Sequence, residues 1–253
     1  PHVPYYPPTR FQRELGHEPV GEFRTDDLWY KLNGRPERIT SKECELLERL
    51  YDATVRYIDH EFGRLLDDLD RLGRTDSTIV FTSDHGDEFR DHGGLTHSPQ
   101  LYNELVHVPL VFGNILEQQT IDGPVSLLDI APTLTAAVGG SRNRYWGRDL
   151  RKQPPSADRM VFSEVSHAPD APRQAIDFDN RIIACRNGRF SYIEDHLRDR
   201  VELYDRERDP DEQRPCEDNF TDIRVELAEA VKDHWAKVTE TSPNLHNRTI
   251  SDN

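Results

Sequence analysis

From Thr40 to Gly73 the apolar residues Leu47, Leu50, Tyr51, Ile58, Phe62, Leu65, Leu66 and Leu69 return at helical spacing. Thr40 with Glu43 forms a capping box, so the spacing predicts one long amphipathic helix that ends at Gly73. Thr78-Ile-Val-Phe-Thr82 follows at once and reads as a short buried strand. After a polar loop, Pro99 to Leu105 suits a short helix and Val108-Pro-Leu-Val-Phe112 a second buried strand. Helix, strand, loop, helix, strand is the order of an α/β domain with a mostly parallel sheet flanked by helices. Ligands of such sheets sit outside the carboxyl ends of the strands, where Ser83, Asp84 and His85 fall.

The flanks read differently. Residues 1–39 are rich in Pro, Gly and charge and are expected to form an irregular loop. Val125 to Val138 reads as a helix bent or begun near Pro132. From about residue 159 short strand-like runs take over: Met160 to Val165, Arg181 to Cys185, Phe190 to Ile193 and Val201 to Tyr204. Asn187-Gly188 between two of them is a hairpin signal. This predicts a small C-terminal antiparallel sheet, closed by a helix from about Asp222 to Val238 that buries Ile223, Leu227, Val231 and Trp235. The expected division is an α/β part over 1–155 and an α+β subdomain over 156–253.

Charge excludes some function classes. Asp and Glu number 47 against 32 Lys and Arg, a net charge of −15, and lysine occurs only at 31, 42, 152, 232 and 237. Nucleic acid needs a basic stripe and an anionic membrane a basic patch, so neither is an expected partner. The acidic, lysine-poor balance suits a high-salt cytoplasm, where salt screens self-repulsion. Cys44, Cys185 and Cys216 are odd in number, far apart and in no metal spacing, which points to a reduced, cytoplasmic compartment. The sequence has no apolar run of membrane-span length and no signal-peptide pattern in PHVPYYPPTR.

The stretch TSDHGDEFRDHGGLTHSP, residues 82–99, concentrates the chemistry. Asp84 and His85 are adjacent at a strand end, and a carboxylate with an imidazole can ligate a divalent cation. Asp before Gly is equally a turn signal, and two ligands do not complete a site. Four histidines between 85 and 107 exceed what a solvated loop needs; of these His92 reads as loop packing and His107 as a strand-entry residue.

These residues carry a resemblance. ATVRYIDHEFGRLLDDLDRLG, STIVFTSDHGDEF, DHGGLTH and LYNELVHVPLVF look like the central portion of the sulfatase family, within the alkaline phosphatase superfamily. PHVPYYPP, VSLLDIAPTLTAAVG, WGRDL and VELYDRERDPDEQ extend the likeness in family order along nearly the whole chain. The resemblance implies an alkaline-phosphatase-like α/β fold and hydrolysis of sulfate esters, small molecules or carbohydrates. It implies that Asp84 and His85 ligate one divalent cation, calcium first, with magnesium or manganese as alternatives. It further implies that His97, five residues after the His of DHG, contacts the sulfate ester and stabilises the leaving oxygen, and that His2 of His-x-Pro is a second substrate contact and general acid.

One departure is informative. The family carries a Cys-x-Pro-x-Arg or Ser-x-Pro-x-Arg motif whose first residue becomes the formylglycine nucleophile. Cys44, Cys185 and Cys216 stand in no such motif, and no serine satisfies it. The chain therefore resembles the C-terminal half of a sulfatase, is expected to be inactive by itself, and would need a companion N-terminal half. The alternatives are a phosphate or phosphonate ester hydrolase of the same superfamily and a non-catalytic remnant or binding module.

Overall fold

The computed structural model describes residues 1–116, 120–141, 145–152, 155–166 and 181–241. They fall into two compact units: Pro1–Thr78 with Gly86–Ser98, and Ile79–His85 with the chain from Pro99 onward.

In the first unit, helices stand where an irregular loop was expected: α1 (Thr9–Glu14), α2 (Glu22–Gly34) and a 3-10 turn at Pro36–Arg38. The apolar residues of α2 are too sparse for a clear stripe, but Leu28 is fully buried and Trp29 and Leu32 pack on the same core. Tertiary burial rather than periodicity makes this a helix. The core consists of Val3, Tyr5, Leu28, Ile39, Cys44, Leu47 and Leu50.

Helix α3 (Ser41–Arg71) is the long helix that the spacing predicts. Its capping box is formed: the Glu43 amide donates to Thr40 Oγ1 at 3.3 Å and the Thr40 amide to Glu43 Oε2 at 3.0 Å. Its buried residues, Glu43, Cys44, Leu47, Leu50 and Ala53, all lie in the first half. Further along, the same stripe leaves Leu65 and Leu66 exposed. The chain then passes through β1 (Ile79–Thr82), which belongs to the second unit, and returns to the first as a short hairpin, β2 (Glu88–Phe89) with β3 (Leu95–Thr96).

In the second unit β1 pairs with β4 (Leu110–Gly113), Ile79 opposite Gly113 and Thr82 opposite Leu110. The pair runs antiparallel, unlike the parallel arrangement read from element order. Between them the chain supplies only the β2–β3 hairpin and the one-turn helix α4 (Asn103–Val106), shorter than the helix that usually carries a parallel crossover. A 3-10 turn at Leu127–Asp129 leads into α5 (Ile130–Ala137), with Pro132 in the first turn, where its missing N–H costs nothing. Asp129 is fully buried and pairs with Arg159, whose Nη1 and Nη2 donate at 2.7 and 2.8 Å.

The C-terminal sheet matches the sequence reading: β5 (Val161–Ser166), β6 (Arg181–Arg186), β7 (Phe190–Asp195) and β8 (Arg200–Asp205) form an antiparallel sheet in chain order. Asn187 makes the β6–β7 turn, its Oδ1 accepting from the amides of Arg189 at 2.9 Å and Phe190 at 2.7 Å. Helix α6 (Thr221–Thr241) closes the sheet. It buries Leu227 and Val231 against Ile183, Cys185 and Leu203, whereas Ile223 and Trp235 are only half-buried.

Candidate active site

A buried carboxylate organises the loop that carries His97. Glu88 is fully buried, and its Oε1 accepts from the amides of His92 at 2.9 Å and Gly94 at 2.7 Å. Its Oε2 accepts from Ser98 Oγ at 3.0 Å. The loop closes on itself through the Arg90 amide, which donates to the Gly94 carbonyl at 2.9 Å. Such a tight turn requires left-handed backbone, found at Arg90 (φ 75°), Gly93 (φ 91°) and Thr96 (φ 61°). Glycine takes that conformation without strain; the two side-chain-bearing residues persist because the surrounding bonds fix them.

The loop delivers His97 to Asp87. The imidazole Nδ1 lies 3.6 Å from Asp87 Oδ1, within ion-pairing reach, and the Asp87 side chain is only 3 % exposed. Asp87 Oδ2 accepts a 2.7 Å hydrogen bond from the Tyr5 hydroxyl, whereas Oδ1 is buried without a hydrogen-bond partner. A buried carboxylate oxygen so placed calls for a cation or a protonated imidazole. Burial, reinforced by Asp87, pushes the Tyr5 phenol far above its ordinary range, and burial followed by Asp87 raises Tyr51. Both phenols therefore stay protonated. The ring of His2 stands 4.9 Å from that of His97, tilted by 47°. Two histidines separated by 95 positions in sequence thus meet beside one buried carboxylate in the first unit.

Asp84 and His85 lie in the second unit at the end of β1. The His85 amide donates to Asp84 Oδ1 at 3.1 Å, and Ser83 Oγ donates to the His85 carbonyl at 2.7 Å. Asp84 Oδ2 is 3.8 Å from His85 Nε2, and the Asp84 side chain is 87 % exposed. The residual burial of Asp84 raises its carboxyl, but backbone donors and the neighbouring His85 outweigh it, and the group sits below the usual carboxylate range. It is therefore anionic at neutral pH. An ionised carboxylate beside an imidazole fits part of a hard-cation site. His107 caps α4 through its amide, which donates to the Asn103 carbonyl at 2.9 Å, rather than entering a strand, and the His92 amide donates to Glu88.

Asp87 and Glu88 were not singled out by sequence reasoning. Both sit in the acidic stretch, where an exposed carboxylate and a buried one look alike in sequence. The available signal for Glu88 was its place just before Phe89 and a Gly-rich turn, which leaves backbone donors in need of an acceptor.

The fold agrees with the comparisons. Residues 1–140 match the sulfatase family, and the chain belongs to that family. A low-salt glycan biosynthesis sulfotransferase of Haloferax volcanii is 37 % identical over 126 residues, 47 % of this chain and 31 % of that protein. Among solved structures, the phosphonate monoester hydrolase of Agrobacterium radiobacter aligns with a TM-score of 0.73 at 21 % identity, over 94 % of this chain and 55 % of that one. A structure in complex with its substrate D-glucosamine-2-N,6-O-disulfate aligns at a TM-score of 0.62 and 22 % identity, over 85 % of this chain and 45 % of that one. The fold is the α/β fold of the alkaline phosphatase superfamily, with a C-terminal antiparallel sheet and closing helix. The chain spans under two thirds of the length of these relatives. Among the described residues no helix is long and apolar enough to cross a membrane.

Proposed function

We propose that this chain supplies the leaving-group side of a site that hydrolyses sulfate esters. The observation that carries the reading is the meeting of His2 and His97 beside the buried carboxylate of Asp87. Sulfate-ester cleavage develops negative charge on the ester oxygen as the S–O bond breaks. A protonated imidazole next to that oxygen lowers the barrier by giving up its proton. Asp87 Oδ1 faces Nδ1 of His97 at 3.6 Å and would orient the ring for that transfer. Tyr5 holds Asp87 in place from the other side, and His2 offers a second imidazole to the same oxygen or to the sulfate.

Asp84 and His85 would hold a divalent cation, calcium first and magnesium or manganese as alternatives, whose charge stabilises the sulfate oxygens when bound. The attacking group is not one of these residues: no Cys-x-Pro-x-Arg or Ser-x-Pro-x-Arg occurs in the sequence. In this reading the nucleophile comes from an N-terminal half, residues 1–155 complete the catalytic α/β part, and residues 156–253 form the C-terminal subdomain. The substrate is a sulfated small molecule or carbohydrate, and the reaction is cytoplasmic.

The test is a substrate panel. The full-length protein with calcium should hydrolyse sulfate monoesters in preference to phosphonate monoesters, and residues 1–253 alone should hydrolyse neither. Preference for the phosphonate would transfer the site to the alternative hydrolase of the superfamily. Turnover of a sulfate ester by residues 1–253 alone would show that the nucleophile lies within them.

A further inference from the structure

The loop that presents His97 also walls a cavity of about 440 Å³, formed entirely by residues of the first unit. That volume lies in the range of small-molecule sites, ~300–1,000 Å³. Its walls differ in chemistry. On one side stand Trp29 and Leu32 of α2, both also packed against the apolar core, so the indole is held from behind. On the other runs the loop from Gly93 to Ser98, including His97. Gly93 faces open space, since a Cβ built on it meets nothing within 4 Å. The rim carries Asn33, one helical turn beyond Trp29, and Glu37, and both are exposed.

We propose that this cavity receives the alcohol part of the sulfate ester, and that it is shaped for a neutral, polyhydroxylated sugar ring bearing a single sulfate. The proposal rests on the assignment of His97 to the ester oxygen. Trp29 offers an anchored aromatic face to the C–H face of a pyranose. Asn33 can both donate to and accept from a hydroxyl, while Glu37 accepts only. Asn33 Nδ2 spends only a long 3.4 Å contact, on the Trp29 carbonyl. Away from His97, the one fixed cation in the wall is Arg90, and its Nη2 already donates to the carbonyls of Pro36 at 3.3 Å and Ile39 at 3.2 Å. Glu37 adds a carboxylate at the rim. A second sulfate on the ring would meet the Glu37 carboxylate and a guanidinium whose Nη2 is already held on two backbone carbonyls, and an unsubstituted aryl ring would make no hydrogen bond to Asn33 or Glu37.

Calorimetry on the full-length protein with D-glucose 6-sulfate, p-nitrophenyl sulfate and inorganic sulfate tests this. Glucose 6-sulfate should bind tightest. Trp29→Ala should weaken it about tenfold and Asn33→Ala about threefold, with inorganic sulfate unchanged in both. Trp29→Phe should restore most of the loss. Leu28 stays in place to anchor α2, and the exposed Asn33→Ala keeps the test valid should Trp29→Ala unfold the helix. If inorganic sulfate binds but glucose 6-sulfate binds no tighter, or neither variant weakens it, the subsite is overturned while the sulfate reading stands. Tighter, Trp29-dependent binding of p-nitrophenyl sulfate would overturn the sugar assignment. Failure of wild type to bind any of the three would overturn the sulfate reading itself, and the subsite with it.

Discussion

The β5–β8 sheet and the His97 loop reach order by opposite routes. The sheet is held by many interchangeable contacts: Ile183, Cys185 and Leu203 are fully buried, and each strand pairs in a regular register with its neighbours. The loop is held by one buried carboxylate that satisfies three donors around left-handed backbone at Arg90 and Thr96. A sheet of the first kind loses stability gradually as side chains are trimmed. A loop of the second kind leans on few side chains, Glu88 foremost, and it is this loop that carries His97.

The largest effect should come from removing the Glu88 side chain. Glu88→Ala leaves two amides and a hydroxyl without their acceptor, and is expected to cost about 4 kcal/mol in urea unfolding. Glu88→Gln, which keeps one acceptor oxygen, should recover part of this. Leu203→Ala in the sheet should cost about 3 kcal/mol, the lost transfer energy plus a cavity. A larger loss for Leu203→Ala than for Glu88→Ala would break the contrast. At the β6–β7 turn, where the sheet also uses one polar side chain, Asn187→Ala should cost about 1 kcal/mol by the same measurement.

The smallest effect sharpens the comparison, because it isolates the charge of a buried carboxylate. In Glu43, hydrogen bonding from Lys31 and then from the Thr40 amide outweighs burial and brings the carboxyl down to about 2 from an ordinary 4.5. Its folded-state value lies below its unfolded one, so its stabilisation is present above 4.5 and is lost as pH falls toward 2. Glu43→Gln should flatten the acid limb of stability across that window. An unchanged limb would mean that the carboxylate acts there only as a neutral acceptor.

The same contrast explains what was legible in the sequence. The 3.6-residue stripe and capping box announced α3, and short alternating runs around Asn187-Gly188 announced the sheet, because both depend on patterns repeated over many residues. Helix α2 was missed because a single fully buried residue, Leu28, with Trp29 and Leu32 beside it, makes no stripe. The antiparallel sense of β1 and β4 was missed because element order does not fix direction. At the site, the strand-end position of Asp84 and His85 was readable from the chain. The meeting of His2 with His97 was expected only through family resemblance, since no local pattern joins residues 95 positions apart. Asp87 and Glu88 stayed hidden because composition cannot distinguish the two buried carboxylates from the exposed Asp84 near them.

The central claim is that His97, set against Asp87, protonates the leaving oxygen of a sulfate ester. The most direct measurement compares kcat/KM of the full-length wild type and His97→Ala on two substrates: an alkyl sugar sulfate, whose leaving oxygen needs a proton, and p-nitrophenyl sulfate, whose leaving group does not. The account predicts a loss of about 10²-fold to 10⁴-fold on the sugar sulfate and a much smaller one on the aryl sulfate. Equal losses on both substrates, or none on either, would contradict it.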